Sequence, residues 1–208
     1  MKRIAMIVEG NTEKVFLSHL IKFLEAQFKK SKTPMPKLIP SVHHGRIPTG
    51  VELKGEVQRL LSGKNPSDYV IALTDVYTGS HPPVFKNAED AKSKMRDWVG
   101  DEPRFYPHVA LHEFEAWLLP FWPYIQELAN HNMRLPNRNP ETINHNNPPS
   151  HWLKEIFRNG TRRKKYFKRR DADNILRRND LSNAIAACPE LKSLVNTIIS
   201  LCGGVAIP

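Results

Sequence analysis

Long apolar runs are missing from this chain. None approaches the roughly 20 residues that a membrane-spanning helix needs, and no segment combines Trp and Lys in the manner of a membrane-surface helix. A signal-peptide core is missing too: Lys2 and Arg3 open the chain, but Glu9 interrupts the apolar run that follows. These absences predict a cytoplasmic protein with no membrane partner. Cysteine is scarce. Cys188 and Cys202 are far apart and have no CxxC partner, which argues against a zinc site or a disulfide framework; both read as small buried apolar residues. His43, His44, His131, His145 and His151 show no metal-ligand spacing. No Ser-His-Asp arrangement is visible, neither cysteine has a neighbouring base in sequence, and there is no internal repeat.

What is there suits one well-packed domain, or one domain with a small appendage: 208 residues, 40% apolar and 25% charged. The formal charge of +10 is concentrated. Between Arg158 and Arg178 ten basic residues stand against two aspartates, a local +8; elsewhere 21 basic residues stand against 19 acids, a sum of +2. A concentrated basic block implies a polyanion partner.

The chain reads as alternating strands and helices. Lys2 to Glu9 is continuously apolar, as a buried central strand is. Asn11 or Thr12 is suited to cap a helix from about Glu13 to Lys30, in which Val15, Phe16, His19, Leu20, Phe23, Leu24 and Phe28 share one face. Lys37 to Val42 reads as a strand with Pro40 at a sheet edge, and Val51 to Leu61 as a short helix ending at Gly63. Asp68 to Asp75 is the next strand. Tyr77 to Val84 is a Gly/Pro-rich loop suited to cover a site, Ala88 to Val99 an amphipathic helix, and Arg104 to Leu111 a strand. Glu113 to Leu119 starts a helix that Pro120 and Pro123 are expected to break. This order predicts an α/β fold with a mostly parallel sheet and helices on both faces, over residues 1–135. An Asn/Pro-rich linker over 136–150 and a basic helical segment over 151–208 follow, with helices expected at Trp152–Phe157, Arg163–Arg170, Leu181–Ala187 and Glu190–Leu201.

Three of the strand-like runs deliver acid at their carboxyl ends. The first meets Glu9, then Gly10, then Glu13; Tyr69 to Thr74 meets Asp75; Phe105 to Leu111 meets His112, Glu113 and Glu115. Open α/β sheets bind ligands at that edge, and hard divalent cations prefer carboxylate oxygens. Glu9, Asp75, Glu113 and Glu115 are therefore candidate ligands for Mg²⁺ or Mn²⁺, with Glu9, Glu13 and Asp75 the candidate catalytic acids. Glu113, at the strand-to-helix junction, is preferred over Glu115, because on a helix the two diverge. Gly10, Asn11, Thr12, Tyr77 and His112 would line the same pocket. In the basic block, Arg162, Arg163, Lys164, Lys165, Lys168, Arg169 and Arg170 are candidate nucleic-acid contacts, and Tyr166 and Phe167 either stack or anchor the helix.

A strand ending in Glu9-Gly10, a helix, and a later strand ending in Asp75 resemble the TOPRIM superfamily, the metal-binding fold of topoisomerases, DnaG-type primases and overcoming-lysogenisation-defect nucleases. Val8-Glu-Gly-Asn-Thr-Glu13, Thr74-Asp-Val-Tyr-Thr-Gly79 and Leu111-His-Glu-Phe-Glu-Ala116 are similar to three signatures of a bacterial TOPRIM-like family whose members often end in a basic helical segment and a Cys-Pro helix, as at Cys188-Pro189. The resemblance implies a Rossmann-like sheet, a metal-bound or acid/base role for Glu9, the first acid of a DxD pair at Asp75, and a second nuclease glutamate at Glu13. The chain departs from the pattern at Tyr77, where the second Asp is usual. It also has no GxxxxGKS/T sequence, so an ATPase like that of overcoming-lysogenisation-defect nucleases would be a separate subunit. The activity expected is metal-dependent cleavage of DNA or RNA, in the setting of phage defence, and a homo-oligomer is compatible with it. The rival expectations are a catalytically inactive nucleic-acid-binding module and a protein whose basic helices dock an acidic ATPase surface.

Overall fold

The computed structural model describes residues 1–77, 83–143, 146–162 and 164–208, apart from the side chain of Asn11. Arg163, His145 and positions 78–82 of the Gly/Pro-rich loop lie outside the described residues, as does the Asn11 side chain. Four parallel strands form one sheet: β1 (Arg3–Val8), β2 (Lys37–Val42), β3 (Tyr69–Asp75) and β4 (Phe105–Ala110), in the order β2-β1-β3-β4. The links between them carry α1 (Asn11–Ser31), α2 (Gly50–Ser62) and α3 (Ala88–Val99). A 3-10 helix (Phe114–Phe121) and α4 (Trp122–Ala129) follow β4, and the chain closes with α5 (Pro149–Asn159), α6 (Lys168–Arg178), α7 (Leu181–Ala187) and α8 (Pro189–Leu201).

The apolar continuity of β1 has its cause here. Successive side chains point to opposite faces of a strand, and both faces of β1 are covered. Ile4, Met6 and Val8 join the cluster built with α1, the 3-10 helix and the C-terminal helices, whereas Ala5 and Ile7 join the cluster of α2 and α3. β2 lies at the edge, where Pro40 costs no ladder bond that a central strand would need. Among the described residues no single helix is long and apolar enough to cross a membrane. α7 and α8 are apolar because Leu181, Ile185, Leu191, Leu194 and Ile198 belong to the first core.

Several local expectations change. α1 begins at Asn11 with Gly10, which has no side chain to cap it, as the residue before it. The acid at Glu13 supplies the missing acceptor, since the N–H groups of Glu13 and Gly10 face its carboxylate, the carboxylate half of a capping box. Pro123 does not break a helix. It sits in the first turn of α4, where its missing N–H is not needed, while Pro120 is accommodated in the 3-10 helix. The basic helix starts at Lys168 rather than at Arg163. Tyr166 is buried against Phe157 at 5.8 Å between ring centroids, and the buried Asp171 accepts from the Phe167 N–H at 2.7 Å. Together these set the helix start, and Arg162, Lys164 and Lys165 before it lie in irregular chain. In the segment of 136–150, a 3-10 turn at Pro140–Thr142 buries Glu141, which accepts from Trp117 Nε1 at 3.3 Å and from the Glu190 N–H at 3.0 Å.

Candidate metal centre

Register brings the first two acids together. Val8 is paired with Leu73, so the residue after β1 meets the last residues of β3. Glu9 Oε1 accepts from the Asp75 N–H at 2.9 Å and from the Thr74 hydroxyl. The chain runs outward in opposite directions from these strands, to β2 on one side and β4 on the other. That is the switch point at which open α/β sheets place their ligand crevice.

The third pair arrives through β4. Beyond the last ladder pair, Asp75 with Ala110, the Val76 N–H donates to the Ala110 carbonyl at 3.2 Å and the Tyr77 N–H to the His112 carbonyl at 2.7 Å. The next residues are thereby held beside β3, and the Phe114 N–H donates to Asp75 Oδ1 at 2.9 Å. Glu113 is still extended (φ −150°, ψ 163°) and Glu115 lies in the 3-10 helix. The divergence expected on a regular helix does not occur; both carboxyls are buried and each raises the energy of ionising Asp75. Glu113 Oε1 accepts from the Ser150 N–H, and Glu115 Oε1 lies 3.0 Å from the Lys168 ammonium. On the α1 side, Phe16 contacts Phe114 and Trp117 at centroid distances of 5.6 and 5.1 Å. These contacts, each worth about 0.5–1.5 kcal/mol beyond area burial, fix the helix bearing Glu13 against the one bearing Glu115. A Cβ on residue 10 would lie 3.3 Å from Glu13 Oε2, so glycine leaves that carboxylate its room.

Five acids are thus gathered with one described cation among them. Burial pushes the Glu9 carboxyl up to about 7, and Glu13 adds to this against the hydrogen bonds from Thr74 and Asp75. Burial raises Asp75 well above the usual carboxylate range, reinforced by Glu9, Glu115, Glu13 and Glu113. Glu13 and Glu113 are raised by burial first and by Glu115 second. Burial works against the Lys168 ammonium, but Glu115, Glu113 and Asp75 outweigh it and hold it above the ordinary lysine range. Tyr166 is pushed up by its burial and then by Glu115, Asp171, Glu113 and Glu13. Among the described residues no three His, Cys, Asp or Glu side chains already surround one common point. The donors that meet here are all carboxylate oxygens carrying more negative charge than Lys168 offsets. Such a set fits a hard divalent cation, and Mg²⁺ needs only one or two of them beside its waters.

Glu9, Glu13, Asp75, Glu113 and Glu115 therefore share one region, as their strand-end positions suggested, with Gly10 and Thr12 at the start of α1 beside them. The basic residues divide. Arg162, Lys164, Lys165 and Arg169 are exposed. Arg170 is held by Asp171 at 2.8 and 3.1 Å, and the half-exposed Lys168 pairs its ammonium with Glu115. Sequence reasoning missed Thr74, Ser150 and the pairing of Lys168 with Glu115. Thr74 had a signal in its place next to Asp75; Ser150 and Lys168 had none, being 37 and 53 residues from the acids they serve.

No curated protein matches this chain. Among solved structures it is similar to the C-terminal region of the Burkholderia pseudomallei OLD protein, with 12% identity and a TM-score of 0.45 over 94% of this chain and 96% of that one. The family model described as Domain of unknown function (DUF4276) matches residues 8–199, a span that holds all five acids and Lys168, and the chain belongs to that family.

Proposed function

We propose that the chain is a Mg²⁺- or Mn²⁺-dependent phosphodiester hydrolase acting on nucleic acid. The observation that carries this reading is the convergence of Glu9, Glu13, Asp75, Glu113 and Glu115 at the switch point of the sheet, with burial and mutual repulsion raising four of them. Glu9, Asp75 and one or both of Glu113 and Glu115 would hold the ion. When bound, the cation supplies neutralisation of the phosphate charge and a lowered pKa for water. The chain's own residues do the rest. The Thr74 hydroxyl and the Asp75 N–H hold Glu9 in one orientation, and the Phe114 N–H holds Asp75. Glu13 is available to orient the attacking water. Lys168 offsets part of the acids' charge, and with a cation held by those acids it would be free to meet a substrate phosphate. Arg162, Lys164, Lys165 and Arg169 add the field that gathers a polyanion. The TOPRIM resemblance supports the same chemistry and adds a separate ATPase subunit and phage defence as its setting.

A second reading draws on Tyr77, which stands where the superfamily usually has an acid, and on Lys168, which already sits among the carboxylates. In that reading the fold binds nucleic acid and has no catalytic cation. Calorimetric titration with Mn²⁺ separates the two. Binding in the micromolar to millimolar range, lost in Asp75→Asn, together with metal-dependent cleavage of plasmid, tRNA or single-stranded DNA that falls at least about a hundredfold in Glu9→Gln, is the result expected of the hydrolase. Nucleic-acid binding with neither metal uptake nor cleavage would favour the binding module.

A further inference from the structure

Beside the acids lies a feature the hydrolytic reading does not use. Phe167 is 46% exposed, the one aromatic among the exposed large hydrophobic residues described. It stands immediately before Lys168, whose ammonium reaches Glu115, and it lines a groove between α1 and α6 with Val15, Ser18, Arg169 and Asp173. Two cations lie over its ring, Arg170 with Cζ 4.5 Å from the centroid and Lys165 with Nζ 5.3 Å away.

The ring is held in place from below. Tyr166 is buried, so the next side chain along this irregular stretch turns outward. The buried carboxylate of Asp171 takes the Phe167 N–H at 2.7 Å and both the Nε and NH2 groups of Arg170. One buried anion thus fixes the backbone under the ring and the guanidinium above it. Lys165, by contrast, makes no ion pair among the described residues and leaves its place over the ring at little cost. The surroundings are cationic: Arg162, Lys164, Lys165 and Arg169 are exposed, while the nearby acid Asp173 is already engaged by His19 at 2.9 Å and by Arg177. An immobilised aromatic face in a basic groove is what a sequence-independent single-strand binder presents, since every unpaired base offers a π-face and every nucleotide a phosphate. A duplex keeps its base faces covered.

We propose that Phe167 is a stacking platform for an unpaired base, so that the polynucleotide reaching the acid cluster is single-stranded over the α1–α6 groove. This rests on the hydrolase reading only for what happens next; the binding itself requires no metal. The test is fluorescence anisotropy of the full chain in EDTA, with labelled oligothymidylate, oligouridylate and a mixed-sequence duplex of equal length, at several salt concentrations. Phe167→Ala should weaken binding of the single strands about five- to a hundredfold and leave the salt slope unchanged, whereas Arg169→Ala should make the slope shallower by roughly 0.7 for each phosphate it ceases to neutralise. Phe167→Trp should bind as the wild type does. The DNA and RNA arms report which strand is preferred, and weakening in either supports the platform. Wild-type affinity in Phe167→Ala would overturn the proposal, as would a wild type that binds no single strand. An equal loss on duplex, or a loss accompanied by the slope change of Arg169→Ala, would overturn it too, because the ring would then merely hold the basic turn. If the Phe167 effect is found and Mn²⁺ binding is not, the platform stands and the hydrolase reading falls.

Discussion

Replacing Glu9 with Gln should make the metal-free protein more stable at pH 8 and at the same time remove its response to Mn²⁺. The amide keeps an oxygen that accepts from the Thr74 hydroxyl and the Asp75 N–H, so the anchoring of the side chain is preserved. What changes is the charge. Burial lifts the Glu9 carboxyl from 4.5 to about 7, so between those values the folded chain holds a proton that the unfolded chain has released. The unfolded state binds fewer protons over that window, and stability falls as pH rises through it. At about 1.4 kcal/mol per pH unit the ionised carboxylate costs the fold about 3 kcal/mol at pH 8, and Gln does not carry that cost. For a chain of this size the gain corresponds to a rise in Tm of about 6–12 °C. At pH 4.5 the advantage should shrink to a few tenths of a kcal/mol, because the carboxyl is neutral in the folded chain and only about half ionised in the unfolded one. Mn²⁺ at about a hundred times its Kd should stabilise the wild type by about 2.7 kcal/mol and the variant by much less. Thermal and urea melts of both proteins at pH 4.5 and pH 8, in EDTA and in Mn²⁺, give the comparison. A Glu9→Gln protein less stable than wild type at pH 8 in EDTA would refute the argument that Glu9 is an under-compensated member of an acid cluster. A variant that gains as much from Mn²⁺ as the wild type would refute its role as a ligand.

Lys168→Ala leaves the buried Glu115 without its ion-pair partner. It should destabilise the metal-free protein by about 1–3 kcal/mol, discounted from the value for a fully buried pair because the lysine is half-exposed, and Mn²⁺ should restore part of the loss; an unchanged Tm in EDTA would count against the pairing. Glu141, raised by burial to about 7 outside the cluster, is the control. Glu141→Gln should gain stability over the same pH window, less about 1 kcal/mol for an impaired hydrogen bond to the start of α8, with Mn²⁺ affinity by calorimetry the same as in the wild type. Gly160→Ala would place a Cβ 2.2 Å from the Ala129 carbonyl oxygen, and the backbone shift this forces should lower stability by about 1–3 kcal/mol or more, read as a Tm several degrees below wild type with no change in the pH dependence.

The local features of this protein were written in its local sequence. An apolar run that does not alternate implied a strand covered on both faces, and β1 is one. Pro40 implied an edge strand, and β2 is at the edge. Apolar residues at helical spacing located α1, α3, α7 and α8 to within a residue or two, and acids at strand ends located the candidate site. These are properties of neighbours along the chain, and backbone geometry reads them directly. The helix boundaries that moved did so for tertiary reasons: Lys168 begins α6 because Tyr166 is buried in the core and Asp171 holds the turn before it.

What the chain order alone does not contain is which strands lie side by side. Only the order β2-β1-β3-β4 sets Glu9 beside Asp75 across 66 residues, and only the continued pairing of Tyr77 with His112 carries Glu113 and Glu115 to the same place. The countercharge was equally illegible. Lys168 stands in a run of seven cations that composition treats alike, and it differs from them because α6 begins next to α1 and points one ammonium at Glu115. Burial and the sign of the nearest charges decide what a carboxylate or an ammonium does, and both are set by contacts between residues remote in sequence. The residue types and strand ends were therefore determined by the sequence, and their assembly into one acid cluster with a single described cation by the fold.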